Sequence, residues 1–167
     1  MKISLNQLKS YVEINVPVEE LCDRMVMAGF EVESIEKQGD NLVNVVVARI
    51  AELAPHENSD HLQICQMDIG CDELVQIVTG AQNIKEGDLV PAALNDSHLP
   101  CGAHIMSGKL RGVESHGMLC SGEELCLTEA DYEGASVYGI LILRDEYAPG
   151  TDMREVLGLD DYIIDFK

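Results

Sequence analysis

The chain has 167 residues, 46% hydrophobic and 25% charged, the balance of an ordinary globular protein of one or two domains. It carries 11 basic residues against 30 acidic ones, a net charge of −19, and a field of that sign repels polyanions at long range. A general nucleic-acid binder is thereby excluded; any RNA contact has to come from a local patch or from the rest of a larger assembly.

Ser4 is placed to cap a short helix carrying Leu5, Leu8 and Val12, which Asn15-Val16-Pro17 breaks. A second helix is predicted just after Pro17, with Glu19 and Glu20 at its positive end, Leu21 and Met25 on its apolar face, and Gly29 as its stop. Residues 30–35 then alternate like a half-buried strand, and the polar break at 37–41 marks a first domain boundary.

From 42 to 127 the pattern changes to short strands, predicted at 42–53, 61–69, 73–79, 88–94 and 104–120, separated by turn-forming clusters. Five strands with little room for helix predict a small closed barrel. A helical turn near Glu123-Glu124-Leu125, a loop over 128–137, a strand over 138–143, a helix capped by Thr151 and ended by Gly158, and an extended 161–166 complete the chain. The chain stops mid-strand at Phe166-Lys167, which is expected to be an internal boundary and not a natural end. Residues 21–35 and 152–166 both run helix, glycine, strand. Similar half-units on either side of a barrel suggest one α+β domain split by an insertion, which is physically cheap when the insert's termini lie close together. The expected organisation is therefore α+β with an all-β insertion: halves at 1–39 and 128–167 around a barrel at 40–127.

The six cysteines, at 22, 65, 71, 101, 120 and 126, form no C-x-x-C, and no secretory signal opens the chain, so reduced thiols in a cytoplasmic protein are expected. Metal ligands in structural sites usually pair two to four residues apart, and on that spacing no metal site is expected. The apolar runs at 45–48 and 140–143 are too short to span a membrane. No catalytic site is expected either. Gly-x-Ser-x-Gly, a phosphate-cradling loop and HExxH are all missing. Ser115 and His116 are adjacent, hence on opposite faces of a strand, and adjacent Glu123 and Glu124 do not face one another.

The most suggestive stretch is 109–121, Lys-Leu-Arg-Gly-Val-Glu-Ser-His-Gly-Met-Leu-Cys-Ser. In a strand, Lys109 and Arg111 share one face and together could hold a phosphate; the alternative is a solvated strand edge.

Residues 1–12 and 21–33 resemble the opening of the bacterial phenylalanyl-tRNA synthetase β-chain family. The pieces 46–52, 55–62, 76–83 and 109–121 resemble that family's inserted tRNA-binding domain, and 161–166 its join to the next module. The resemblance covers essentially the whole chain. It implies that the barrel is a five-stranded OB-fold interrupting a small split α/β domain. It implies a parent ligase that charges tRNA(Phe) with phenylalanine using ATP and magnesium, as a heterotetramer with an α subunit that carries aminoacylation. No cofactor and no catalytic residue fall to this region on that reading. The implied RNA-contact positions are Lys109 and Arg111 on the phosphate backbone, Ser115 donating its hydroxyl, and Met118 against a base or ribose, with Asn58 and His61 as neighbours. His61 stands where the family usually carries lysine, residues 42–127 contain no Phe, Tyr or Trp for base stacking, and segment 40–127 holds four basic against 13 acidic residues. Two readings stay open: a tRNA-binding module, or a structural module of the synthetase with little tRNA affinity of its own.

Overall fold

The computed structural model describes residues 1–167. In chain order its elements are β1 (Lys2–Ser4), α1 (Leu5–Lys9), α2 (Val18–Met27), β2 (Val32–Lys37), β3 (Val43–Pro55), β4 (Gln63–Asp68) and β5 (Val75–Thr79). There follow β6 (Leu89–His98), β7 (His104–Ile105), β8 (Gly108–Leu110), β9 (Val113–Ser115), β10 (Gly117–Leu119), α3 (Met153–Val156) and β11 (Tyr162–Phe166). The protein is mostly β, antiparallel throughout, with few and short helices. No helix is long and apolar enough to cross a membrane.

The chain forms two compact units, 1–40 with 158–167, and 41–157. In the first, β11 lies between β1 and β2 and pairs antiparallel with both. Ser4 caps α1 as its spacing predicts, its Oγ accepting from the Gln7 amide at 3.0 Å. The Asp161 carboxylate accepts from the Ser4 hydroxyl and, at 2.9 Å, from the Asn6 amide, so the approach to β11 is tied to the start of α1. Leu5, Val18, Cys22, Ile164 and Phe166 form this unit's core.

The second unit is a curled sheet in the order β10-β6-β3-β4-β5, with β7 added to β6. β3 is long enough to pair with both β4 and β6, and bulges at Val43/Val45 and Ile50/Glu52 bend it between the two. At the first, the extra residues lie on β6, where 94–97 stand opposite Asn44 alone, itself at φ 58°. Met67, Ile77, Val90 and Leu119, from four different strands, meet in one core. β5 also bonds to the residues just before β10: the His116 amide donates to the Gln76 carbonyl at 2.8 Å, and the Val78 amide to the Ser115 hydroxyl at 3.0 Å.

The expected boundary at 127 falls inside this unit, for a hydrogen-bonding reason. β4 pairs with β3 only from Arg49 onward, which leaves the backbone of Val47 without a strand partner on that side. The Val47 amide donates instead to Thr151 O at 2.8 Å, and its carbonyl accepts from the Gly150 amide at 2.7 Å. On β6, Pro91 accepts from the Cys120 amide but has no N–H to return, and the Cys120 carbonyl accepts from Leu141 at 3.1 Å instead. Residues 140–151 thus continue the sheet's hydrogen bonding where β4 and β10 stop.

Three sequence expectations are corrected. The strand foreseen over 104–120 is four short strands, β7 to β10, because the chain reverses at Arg111-Gly112. Residues 138–143 form no strand; they are held by single bonds from Leu141 and Leu143 to the carbonyls of Cys120 and Leu89. The cap of α3 is Asp152, whose carboxylate accepts from the Arg154 amide at 2.9 Å, while Thr151 turns back to donate its hydroxyl to Ala148 O. The helical turn expected near Glu123 is present as a single turn, Leu125 N donating to Ser121 O at 3.3 Å, with the Glu124 carboxylate accepting from the Ser121 amide.

Candidate nucleic-acid interface

β8 and β9 make a hairpin in which Lys109 faces Glu114 and Leu110 faces Val113. Two residues close it, Arg111 at φ 49° and Gly112 at φ 86°. A two-residue turn whose torsions are both positive matches the twist of the flanking strands; glycine meets the requirement freely, arginine at some strain. Lys109 and Arg111 therefore do not share a strand face as their alternate spacing suggests: one projects from a strand and the other from the tip. Both are exposed, and neither makes an ion pair. Among the basic residues of 41–157, Arg49, Arg144 and Arg154 are each paired with a carboxylate.

The hairpin rests on the loop after β3. His56 is buried, 3% exposed, and its ring bridges the two segments. Its Nδ1 accepts from the Asn58 amide at 3.0 Å, and its Nε2 lies 3.0 Å from the Leu110 carbonyl. An amide only donates and a carbonyl only accepts, so the ring is the neutral tautomer with its proton on Nε2. Arg111 Nη1 reaches the Asn58 carbonyl at 3.4 Å. The loop closes on itself through His56 N to Leu62 O at 3.0 Å and through the Ser59 hydroxyl, which accepts from the amides of His61 and Leu62. Sequence reasoning treated 55–60 as a connector and missed His56. A histidine two residues before an asparagine in a turn is the signal that was available.

The six expected contact residues thus fall into two groups. Lys109, Arg111, Asn58 and His61 are exposed, on the hairpin and the loop it rests on. Ser115 and Met118 are not among them. Ser115 is buried, and the hydroxyl expected to donate to RNA is engaged within the chain: it accepts from Val78 N and donates to Gly117 O, both at 3.0 Å. Met118 is half-buried on β10 opposite Ala93. Three exposed carboxylates, Glu57, Asp60 and Glu114, stand on the same loop and hairpin, so the two cations do not make the region positive. Beside the loop opens a cleft of about 510 Å³ lined by Leu53, His56, Asp60, Leu62, Gln63 and Gln82 among others, with no Lys or Arg.

With the phenylalanine–tRNA ligase β subunit of Clostridium acetobutylicum this chain is 46% identical over 167 residues, all of this chain and 21% of that one. With the subunit of the same name from Anaeromyxobacter dehalogenans it is 46% identical over 165 residues, 99% of this chain and 20% of that one. The chain spans about a fifth of the length of these curated relatives. Among solved structures, the C-terminal domain of Plasmodium vivax p43 superposes with a TM-score of 0.46 at 21% identity, covering 69% of this chain and 61% of that one. Residues 45–152, nearly all of the second unit, match the model of a family described as the putative tRNA binding domain, and the chain belongs to that family.

Proposed function

We propose that this chain is the N-terminal part of a phenylalanine–tRNA ligase β subunit, and that residues 41–157 contribute tRNA binding to it. What carries the reading is identity of 46% along the whole chain to β subunits of that name, together with the tRNA-binding family match. On this reading the second unit is a five-stranded OB-fold barrel, a view supported by the bonds that join β5 to residues 115 and 116. The first unit is a small α/β domain whose halves flank it. The parent is a cytoplasmic heterotetramer with an α subunit, and ATP and magnesium serve the parent's aminoacylation. The residues here do not fit ATP, since the cleft beside His56 offers a triphosphate an aspartate and no cation. This region is accordingly non-catalytic, and it holds tRNA(Phe) by phosphate contacts from Lys109 and Arg111, with Asn58 and His61 beside them.

A second reading is favoured by the acidic surroundings of the hairpin and by the lack of Phe, Tyr and Trp in 42–127: the region braces the synthetase and adds little affinity. Titrating tRNA(Phe) into the 167-residue chain at several salt concentrations, with bulk RNA as competitor, separates the two. Binding through the hairpin weakens with salt, and Lys109→Ala with Arg111→Ala flattens the log–log salt slope by ~1.4–1.8 if each cation neutralises one phosphate. An unchanged slope removes these residues from the interface, and no binding at low salt leaves the bracing role.

A further inference from the structure

The hairpin of β6 and β7 places three metal-ligating side chains together that lie apart from the tRNA-facing residues in sequence and in role. We propose that Asp96, His98 and His104 bind a divalent transition ion of the zinc class. His98 and His104 are directly opposed across the two strands, so both imidazoles rise from one face; the rings lie 4.2 Å apart between centroids and 10° from parallel. Asp96, two positions before His98, stands at φ 59°, outside the regular strand alternation, and that turn of the backbone brings its carboxylate to the same pair of rings. Its Oδ1 already meets His104 Nε2 at 2.6 Å.

One ligand atom from each residue lies within 4.8 Å of the other two. Tetrahedral zinc, with bonds of about 2.0–2.2 Å to nitrogen and oxygen, sets its ligands about 3.3 Å apart. The observed spacing brackets that value, and the three side chains are exposed, so rotations about their own bonds suffice to close on an ion. The backbone beneath is held. Asn95 Oδ1 accepts from Ser107 N at 2.7 Å, Asn95 O accepts from Asn44 Nδ2 at 2.9 Å, and the turn is closed by Leu99 N to Ala103 O. Two imidazoles and one carboxylate suit zinc, cobalt, nickel or copper and not calcium or magnesium, which prefer all-oxygen sets. Three protein ligands leave a fourth position for water. Bound there, the ion is a cross-strand staple that fixes β7 on β6.

Cobalt(II) is the probe, because its visible spectrum reports the ligands. The exposed thiols Cys71, Cys101 and Cys126 are the alternative ligands to be ruled out, so the titration is run on the 167-residue chain and on its triple serine variant. One saturable equivalent is expected in both, with d–d bands, without thiolate charge transfer, and displaced by zinc. His98→Ala with His104→Ala should abolish it while leaving the far-ultraviolet circular dichroism unchanged. Binding that survives the double alanine variant, that vanishes in the serine variant, or that never saturates in the parent chain overturns the proposal.

Discussion

Replacing His56 tests whether one buried ring holds the cationic hairpin in place. His56→Ala removes the hydrogen bond to Leu110 O and the one from Asn58 N, both 3.0 Å long. Each such bond contributes ~0.5–1.5 kcal/mol net. Leu110 and Asn58 are exposed, so water can reach the abandoned carbonyl and amide, and the full penalty for an orphaned buried group does not apply. The two bonds together then contribute ~1–3 kcal/mol, to which Ala adds the loss of ring packing. His56→Phe keeps most of the ring's volume and loses only the bonds, so the difference between the variants isolates the packing. Urea unfolding followed by circular dichroism should lower the midpoint in both, more in the alanine variant. Amide exchange over 108–115 should rise in both, with exchange over β4 and β5 much less affected. If His56→Phe unfolds at the parent midpoint and hairpin exchange is unchanged, the ring is not the strut argued for here.

Two further outcomes follow from the geometry of the same unit. The Glu129 carboxyl is held down to about 2, first by the Ser136 hydroxyl and then by the amides of Gly134 and Ser136. A depressed acid stabilises above its unfolded value, near 4.3, and that contribution is lost as pH falls toward 2. The Gly134 and Ser136 amide resonances should therefore titrate well below pH 4.3, and a midpoint at 4.3 would refute these hydrogen bonds to Glu129. A Cβ on Gly117 would lie 2.3 Å from the Ala93 carbonyl oxygen and 3.3 Å from Ile77 Cδ1. Gly117→Ala should accordingly cost ~1–3 kcal/mol in urea unfolding by forcing β10 off β6, whereas a neutral substitution would show that this edge yields freely.

Local signals carried much of the architecture into the sequence. Ser4, Pro17 and Gly29 bound α1 and α2 as observed, because caps and breakers act within a few residues of themselves. The reversal at Arg111 was illegible for the converse reason. Positive φ at a non-glycine residue is imposed by the hairpin, and Leu-Arg-Gly-Val reads equally well as continuous strand. The fate of Ser115 depended on Val78, far away in sequence, whose amide claims the hydroxyl. The role of 140–151 depended on Pro91 and on where β4 ends, which alternation of apolar residues does not encode. Asp96, His98 and His104 were overlooked because pairing across the turn, and not spacing along the chain, makes two of them neighbours.

The order of strands in the first unit has a consequence for biosynthesis. Its middle strand, β11, is made after every other strand of residues 1–167, while both of its edge partners, β1 and β2, are among the first of them. At ~5–20 residues per second, roughly 6–25 s separate the emergence of Asp40 from that of Phe166. Throughout that interval Leu5, Val18 and Cys22 have no Ile164 or Phe166 to pack against, and two strands lack the neighbour that would pair them. The residues of the second unit all leave the ribosome inside the same interval. The nascent chain thus has its larger unit free to fold while residues 1–40 still lack the strand that completes their sheet and core.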